Sequence, residues 1–169
     1  MKSNIIYIVL FFALCFGLKA QAQITVQSLE EKKSAVQEKD REKLDFLFQG
    51  TPTSLYFDRE GKTQRLWERG GGVKVIYLTK QGLVSNLSNL EYSKDFSSAE
   101  AIIIEVDDIN QLSLTKTHLT LLENLKYILL RIQGSSDKSQ IERSISGIYA
   151  DEEAMTGVEV LYVDVEPAT

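Results

Sequence analysis

Two groups of residues in this chain have the types and spacing to do chemistry. The first lies at the ends of apolar runs. Asp107 and Asp108 directly follow Ala101–Val106 (AIIIEV). In an open α/β sheet, ligands bind outside the carboxyl ends of the strands, and adjacent carboxylates there can take Mg²⁺ or Ca²⁺ through oxygen. Lys80 follows the preceding run, and Gly134, Ser135 and Ser136 follow the next one, just ahead of a helix start. A Gly-Ser-Ser loop entering a helix can turn its backbone N–H groups toward an anion, with Lys80 adding positive charge. Each has a plainer structural reading: Asp-Asp ends a strand and starts a turn, and Gly and Ser are ordinary helix caps. The second group is Tyr56 and Trp67, on a segment that reads as a β-hairpin over 54–68. Aromatics of these types anchor interfaces, and they also commonly pack a hairpin onto the body beneath it.

The residue types for common catalytic chemistry are scarce. The chain has one cysteine, Cys15, and one histidine, His118. A Ser-His-Asp arrangement needs a positioned serine beside the imidazole, and no G-x-S-x-G elbow occurs. Zinc sites want several His or Cys ligands. There is no phosphate-binding G-x-x-x-x-G-K-[ST] or G-x-G-x-x-G, and no calcium-loop series of acids. Gly70-Gly71-Gly72 leads into a strand rather than a helix and reads as a linker. The sequence therefore assigns no catalytic, cofactor-binding or metal-ligating residue, and no cofactor.

These candidates must be positioned by regular elements. Four β-rich apolar runs stand out: 73–79 (VKVIYLT), 101–106, 127–132 (YILLRI) and 158–166 (VEVLYVDVE). The stretches between them are long enough for parallel crossovers. They hold helix-period apolar residues: Leu83, Leu87 and Leu90; Leu121, Leu122 and Leu125; Ile141, Ile145 and Ile148. Ser139 and Glu142 suggest a capping box for the third helix. The pattern is β-α-β-α-β-α-β. It predicts an α/β fold with a small, mostly parallel sheet of about four strands, the acidic last strand lying at an edge. Ahead of it, charges alternate through 28–45, with a capping box at Ser28 and Glu31, and predict one solvated helix docking at its C-terminal end. The hairpin follows, with Asp58–Gly61 as its turn.

Leu87–Tyr92 and Leu122–Tyr127 share L-x-N-L-x-Y. The second copy, running into Ile128-Leu129-Leu130, resembles the start of a leucine-rich repeat. That resemblance implies, as the alternative fold, a short leucine-rich-repeat-like solenoid. The two copies meet their strands in different registers, whereas true repeats recur at a fixed period of 20–29 residues.

Residues 1–22 have the order of a secretory signal peptide: Lys2, an apolar run from Ile5 to Leu18, and the small-residue site Ala20-Gln21-Ala22. The run is shorter than the about 20 residues a spanning helix needs, so no membrane insertion of the mature chain is expected. The organisation is then 1–22 leader, 23–50 charged helix, and 51–169 α/β domain. Cleavage removes Lys2, Lys19 and Cys15, which takes the formal charge from −5 to −7 and leaves no cysteine. An acidic chain repels phosphate backbones, so nucleic acid is not an expected partner. The expectation is a periplasmic or extracellular binding or interaction module, more readily non-enzymatic, with a protein or small-molecule partner. The alternative is an anion- or small-ligand-binding protein, or a carboxylate-based enzyme, using the strand-end crevice.

Overall fold

The computed structural model describes residues 26–68, 70–148 and 157–166. Residues 1–22, expected from the sequence to be a leader, and Cys15 among them lie outside these. Seven strands form one sheet: β1 (Val26–Ser28), β2 (Ser54–Phe57), β3 (Thr63–Leu66), β4 (Val75–Leu78), β5 (Ala101–Val106), β6 (Tyr127–Gln133) and β7 (Glu159–Val165). Their order across the sheet is β1-β7-β6-β5-β4-β2-β3. All neighbours pair in parallel except β2 and β3, which form the expected antiparallel hairpin. Its turn is held by Asp58, whose carboxylate accepts from the N–H of Glu60 and Lys62, and by Gly61 at φ 82°. Only glycine adopts that conformation without steric cost.

From β2 through β7 the parallel strands succeed one another in chain order, and their connections all pack on one face. Leu55, Phe57, Ile76, Leu78, Ile102, Ile104, Ile128, Leu130 and Val160 point to that face. There they meet Leu83, Leu87, Phe96, Leu119, Leu122, Ile141, Ile145 and Ile148 from the connections. The main core is therefore single-sided. The opposite face carries Val75, Ala101, Ile103, Leu129 and Leu161. It is covered by Leu29 of α1 (Leu29–Ala35) and by Leu44 and Leu47 of α2 (Glu38–Phe48). Alternation along each strand sorts residues between the two faces, which is why the central runs are apolar throughout.

Ion pairs pin α1 and α2 to each other and to the sheet. Lys33 of α1 reaches Asp45 of α2 at 2.6 Å, and Lys32 reaches Glu159 of β7 at 2.5 Å. At the strand starts Glu100 accepts from Lys43 of α2 at 2.6 Å, Lys74 at 2.9 Å and Lys126 at 3.2 Å. Lys43 first, then Lys74 and Lys126, hold its carboxyl down to about 2, against the opposing effect of burial.

Several expectations are corrected. The sheet has seven strands rather than about four. The hairpin joins it as β2 and β3, and β1, only three residues long, gives no periodic signal. The last strand is not an edge, because β1 pairs along its outer side. The charged segment is two helices, not one: the Ser28–Glu31 capping box is present, but Val36 turns extended (ψ 163°) and Gln37 starts a second helix. The first connection is mainly 3₁₀, over Gln81–Ser88 and Leu90–Tyr92, followed by α3 (Ser93–Ser98). Leu83 and Leu87 are buried while Leu90 is exposed. In the second connection only Lys116–Leu119 (α4) is α-helical, and Thr115 and His118 close its capping box. The third helix, α5 (Lys138–Ser144), is capped by Asp137, which accepts from both the N–H and the hydroxyl of Ser139.

The two L-x-N-L-x-Y copies play different parts. Asn89 accepts from the N–H of Glu91 within its own turn, whereas Asn124 donates to the Ser97 carbonyl at 2.6 Å and ties two successive connections together. They are not equivalent rungs of one repeat.

Candidate functional site

Helix α2 covers the strand starts on the second face and stops at Phe48, leaving the rest of that face open beside the hairpin. The opening is a cavity of about 150 Å³. Leu47 and Phe48 wall it on one side, Leu66 and Trp67 on the other, and Tyr56, Tyr77 and Ile103 form its floor. A cavity of this volume holds a single ring-sized apolar group. Tyr56 and Tyr77, register partners on β2 and β4, stack with centroids 5.4 Å apart. Trp67 stands at the lip, 48% exposed, immediately beyond the end of β3. Its φ is 53°, the single positive value among the described non-glycine residues. A bulky residue held there is strained. The Thr53 hydroxyl fastens it by donating to the Trp67 carbonyl at 3.1 Å.

Beyond the aromatic floor the same face turns polar. Glu105 and Arg131 are register partners on β5 and β6, and alternation puts them on the side of Ile103 and Leu129. The Tyr77 hydroxyl donates to Glu105 Oε1. Arg131 Nε lies 2.9 Å from the same oxygen as an ion pair, although its buried N–H makes no aligned hydrogen bond. Burial first, and then the bond to Glu105, push the Tyr77 hydroxyl well above its ordinary pKa. It is a neutral donor at physiological pH. One step further along, Gln133 donates to Asp107 Oδ1 at 2.8 Å. The open face thus runs from an aromatic shelf to a row of Glu105, Arg131, Asp107 and Gln133, each held by a neighbour.

Tyr56 and Trp67, singled out from the sequence, line the same cavity. The strand-end residues do not converge. Asp107 faces Gln133, and its N–H is bound by Gln81. Asp108 is used up in its own turn: Oδ1 accepts from the N–H and side chain of Asn110 and Oδ2 from Gln111, and the backbone N–H of Asn110 leads in lowering its pKa. Gly134, at φ 84°, donates its N–H to the Val165 carbonyl, and Ser136 donates to Asp164. Ser135 is exposed beside them, and Lys80 precedes the 3₁₀ segment without capping it through its side chain. No group of three or more His, Cys, Asp or Glu side chains able to hold a metal occurs among the described residues. No described helix is long and apolar enough to cross a membrane.

Sequence reasoning missed Tyr77, Glu105 and Arg131. Their signal was present: Glu105 and Arg131 are the lone charges inside AIIIEV and YILLRI, and each sits fifth in its run. A single charge at matching positions of two adjacent apolar strands marks a face that is not fully covered. No protein-family model, curated protein or solved structure matches the chain.

Proposed function

We propose that this chain is an exported, non-enzymatic binding module that holds its ligand or partner against the open sheet face beside Trp67. The carrying observation is Trp67 itself: half-exposed, strained at φ 53° and clamped by Thr53 at the lip of an apolar cavity. Strain at a bulky residue persists where the surroundings impose it and gathers at ligand clamps, and a concave apolar site with a few placed polar groups is the usual form of a binding pocket. The signal-like order of residues 1–22 supports action in the periplasm or outside the cell.

Two measurements test this. N-terminal sequencing of the protein from its native envelope is expected to read from Gln23; an intact Met1 overturns export. A benzophenone photo-crosslinker replacing Trp67 is expected to give a discrete adduct in that envelope. The same group replacing Arg143, on the connection face, is expected to give none. Equal labelling at both positions, or none at position 67, overturns the site.

A further inference from the structure

We infer that the open face binds a neutral oligosaccharide, its rings lying from the Trp67–Tyr56 shelf across to Glu105 and Arg131; this rests on the proposed binding face and names its ligand class. The reasoning is one of matched chemistry. The shelf offers the half-exposed ring of Trp67 beside the partly exposed, mutually stacked Tyr56 and Tyr77, apolar surface bordered by polar groups, which suits a ligand that is apolar on its faces and wet at its edges. A pyranose ring is such a ligand, with C–H groups on its faces and hydroxyls around its rim. The row beyond offers donors and acceptors together. Glu105 and Asp107 keep a second carboxylate oxygen, and Arg131 has its two terminal nitrogens, beyond the bonds that hold these groups in place. Hydroxyls both donate and accept, so vicinal sugar hydroxyls pair with a carboxylate on one side and a guanidinium fork on the other.

The charges discriminate against other occupants. Glu105 and Asp107 outnumber Arg131, so the row repels a carboxylate or phosphate ligand. An apolar peptide laid over it would bury those groups without partners, a costly exchange. A neutral polyol meets neither penalty. Tyr56 on β2 and Arg131 on β6 are three strand steps apart, or about 14 Å across the sheet at ~4.8 Å per step. One sugar ring does not bridge that span, and a short oligosaccharide does. The interactions are also pre-formed. Tyr77 and Arg131 both fix Glu105, and Gln133 fixes Asp107, so little side-chain freedom is lost on binding.

Trp67 is the sole tryptophan of the chain, so its fluorescence reports on the shelf directly. The mature protein is titrated with neutral β-glucan, xylan, mannan and chitin oligosaccharides of two to six units, and with oligogalacturonates as the acidic counterpart. At least one neutral series is expected to shift the Trp67 emission, with affinity rising from two to four units and the acidic series inert. Binding is then measured by calorimetry, with circular dichroism confirming that each variant is folded. Trp67→Ala and Glu105→Gln are each expected to weaken affinity by at least about ten-fold, Trp67→Phe by less, and Phe46→Ala, on the exposed side of α2, to leave it unchanged. Neutral series that all fail to bind, binding confined to the acidic series, or binding undiminished in folded Trp67→Ala each overturn the inference. If the envelope crosslink at position 67 then proves to be a protein, the binding face stands and the saccharide is overturned; if no adduct forms there either, both fall.

Discussion

Three lysines converge on Glu100, and the consequence is a pH dependence with a definite sign. Its folded pKa of about 2 lies below the ordinary 4.5. The stabilisation is therefore complete above pH 4.5 and is lost as the pH falls toward 2. Glu100→Gln is expected to lower stability at pH 7 by about 1–2 kcal/mol, the half-exposed lysines limiting the figure, and to flatten acid unfolding across that window; chemical denaturation at pH 7, 4 and 2.5 checks both. Tyr77 has the opposite sense. Its raised pKa makes the neutral hydroxyl the stabilising form, so stability falls as the pH climbs past 10; burial raises Tyr127 and Tyr162 as well, so Tyr77→Phe is expected to reduce that alkaline slope in a melting series without abolishing it. At position 67 the backbone itself is testable. A left-handed L-residue costs about 1–2 kcal/mol relative to glycine, so Trp67→Gly is expected to be more stable than Trp67→Ala by about 1 kcal/mol in urea unfolding. The sequence identified Tyr56 and Trp67 through their side-chain type. It gave no hint of the positive φ at Trp67, because that conformation is imposed by the Thr53 contact and the end of β3, both tertiary.

At the level of elements, the apolar runs coincide with β5 at both ends and with β4, β6 and β7 within one or two residues, because buried parallel strands are continuous apolar runs. The connections were legible only in what they bury. Leu83, Leu87, Ile141, Ile145 and Ile148 do turn inward, but the span from Gln81 to Tyr92 takes the tighter 3₁₀ winding, and i,i+4 spacing does not separate one winding from the other over so few turns. The break at Val36 was hidden for a different reason: charged residues on both sides favour helix, and only the docking of Leu29 and Leu44 onto one face demands the bend. That docking is a second handle on the fold. Leu44 is fully buried against the sheet, and Leu44→Ala is expected to cost about 2–5 kcal/mol, measured by thermal or denaturant unfolding, with the open face losing its α2 wall.

Across the whole molecule, stability should fall from the middle of the sheet outward. Strands β5 and β6 have neighbours on both edges and cores on both faces, whereas β3 is an exposed edge and β1 a three-residue one. Native-state hydrogen exchange is expected to be slowest in β5 and β6 and fastest in β3 and β1; protection in β3 equal to that in β5 would contradict this gradient. The pairing of β1 with β7 also sets a schedule for assembly. A polypeptide emerging from its N-terminus makes Val26–Ser28 well before Glu159–Val165, so β1 must wait for its partner while β2, β4, β5 and β6 already have theirs. The outermost parallel pair is therefore the last to close, because β7 is the only neighbour β1 has in the sheet.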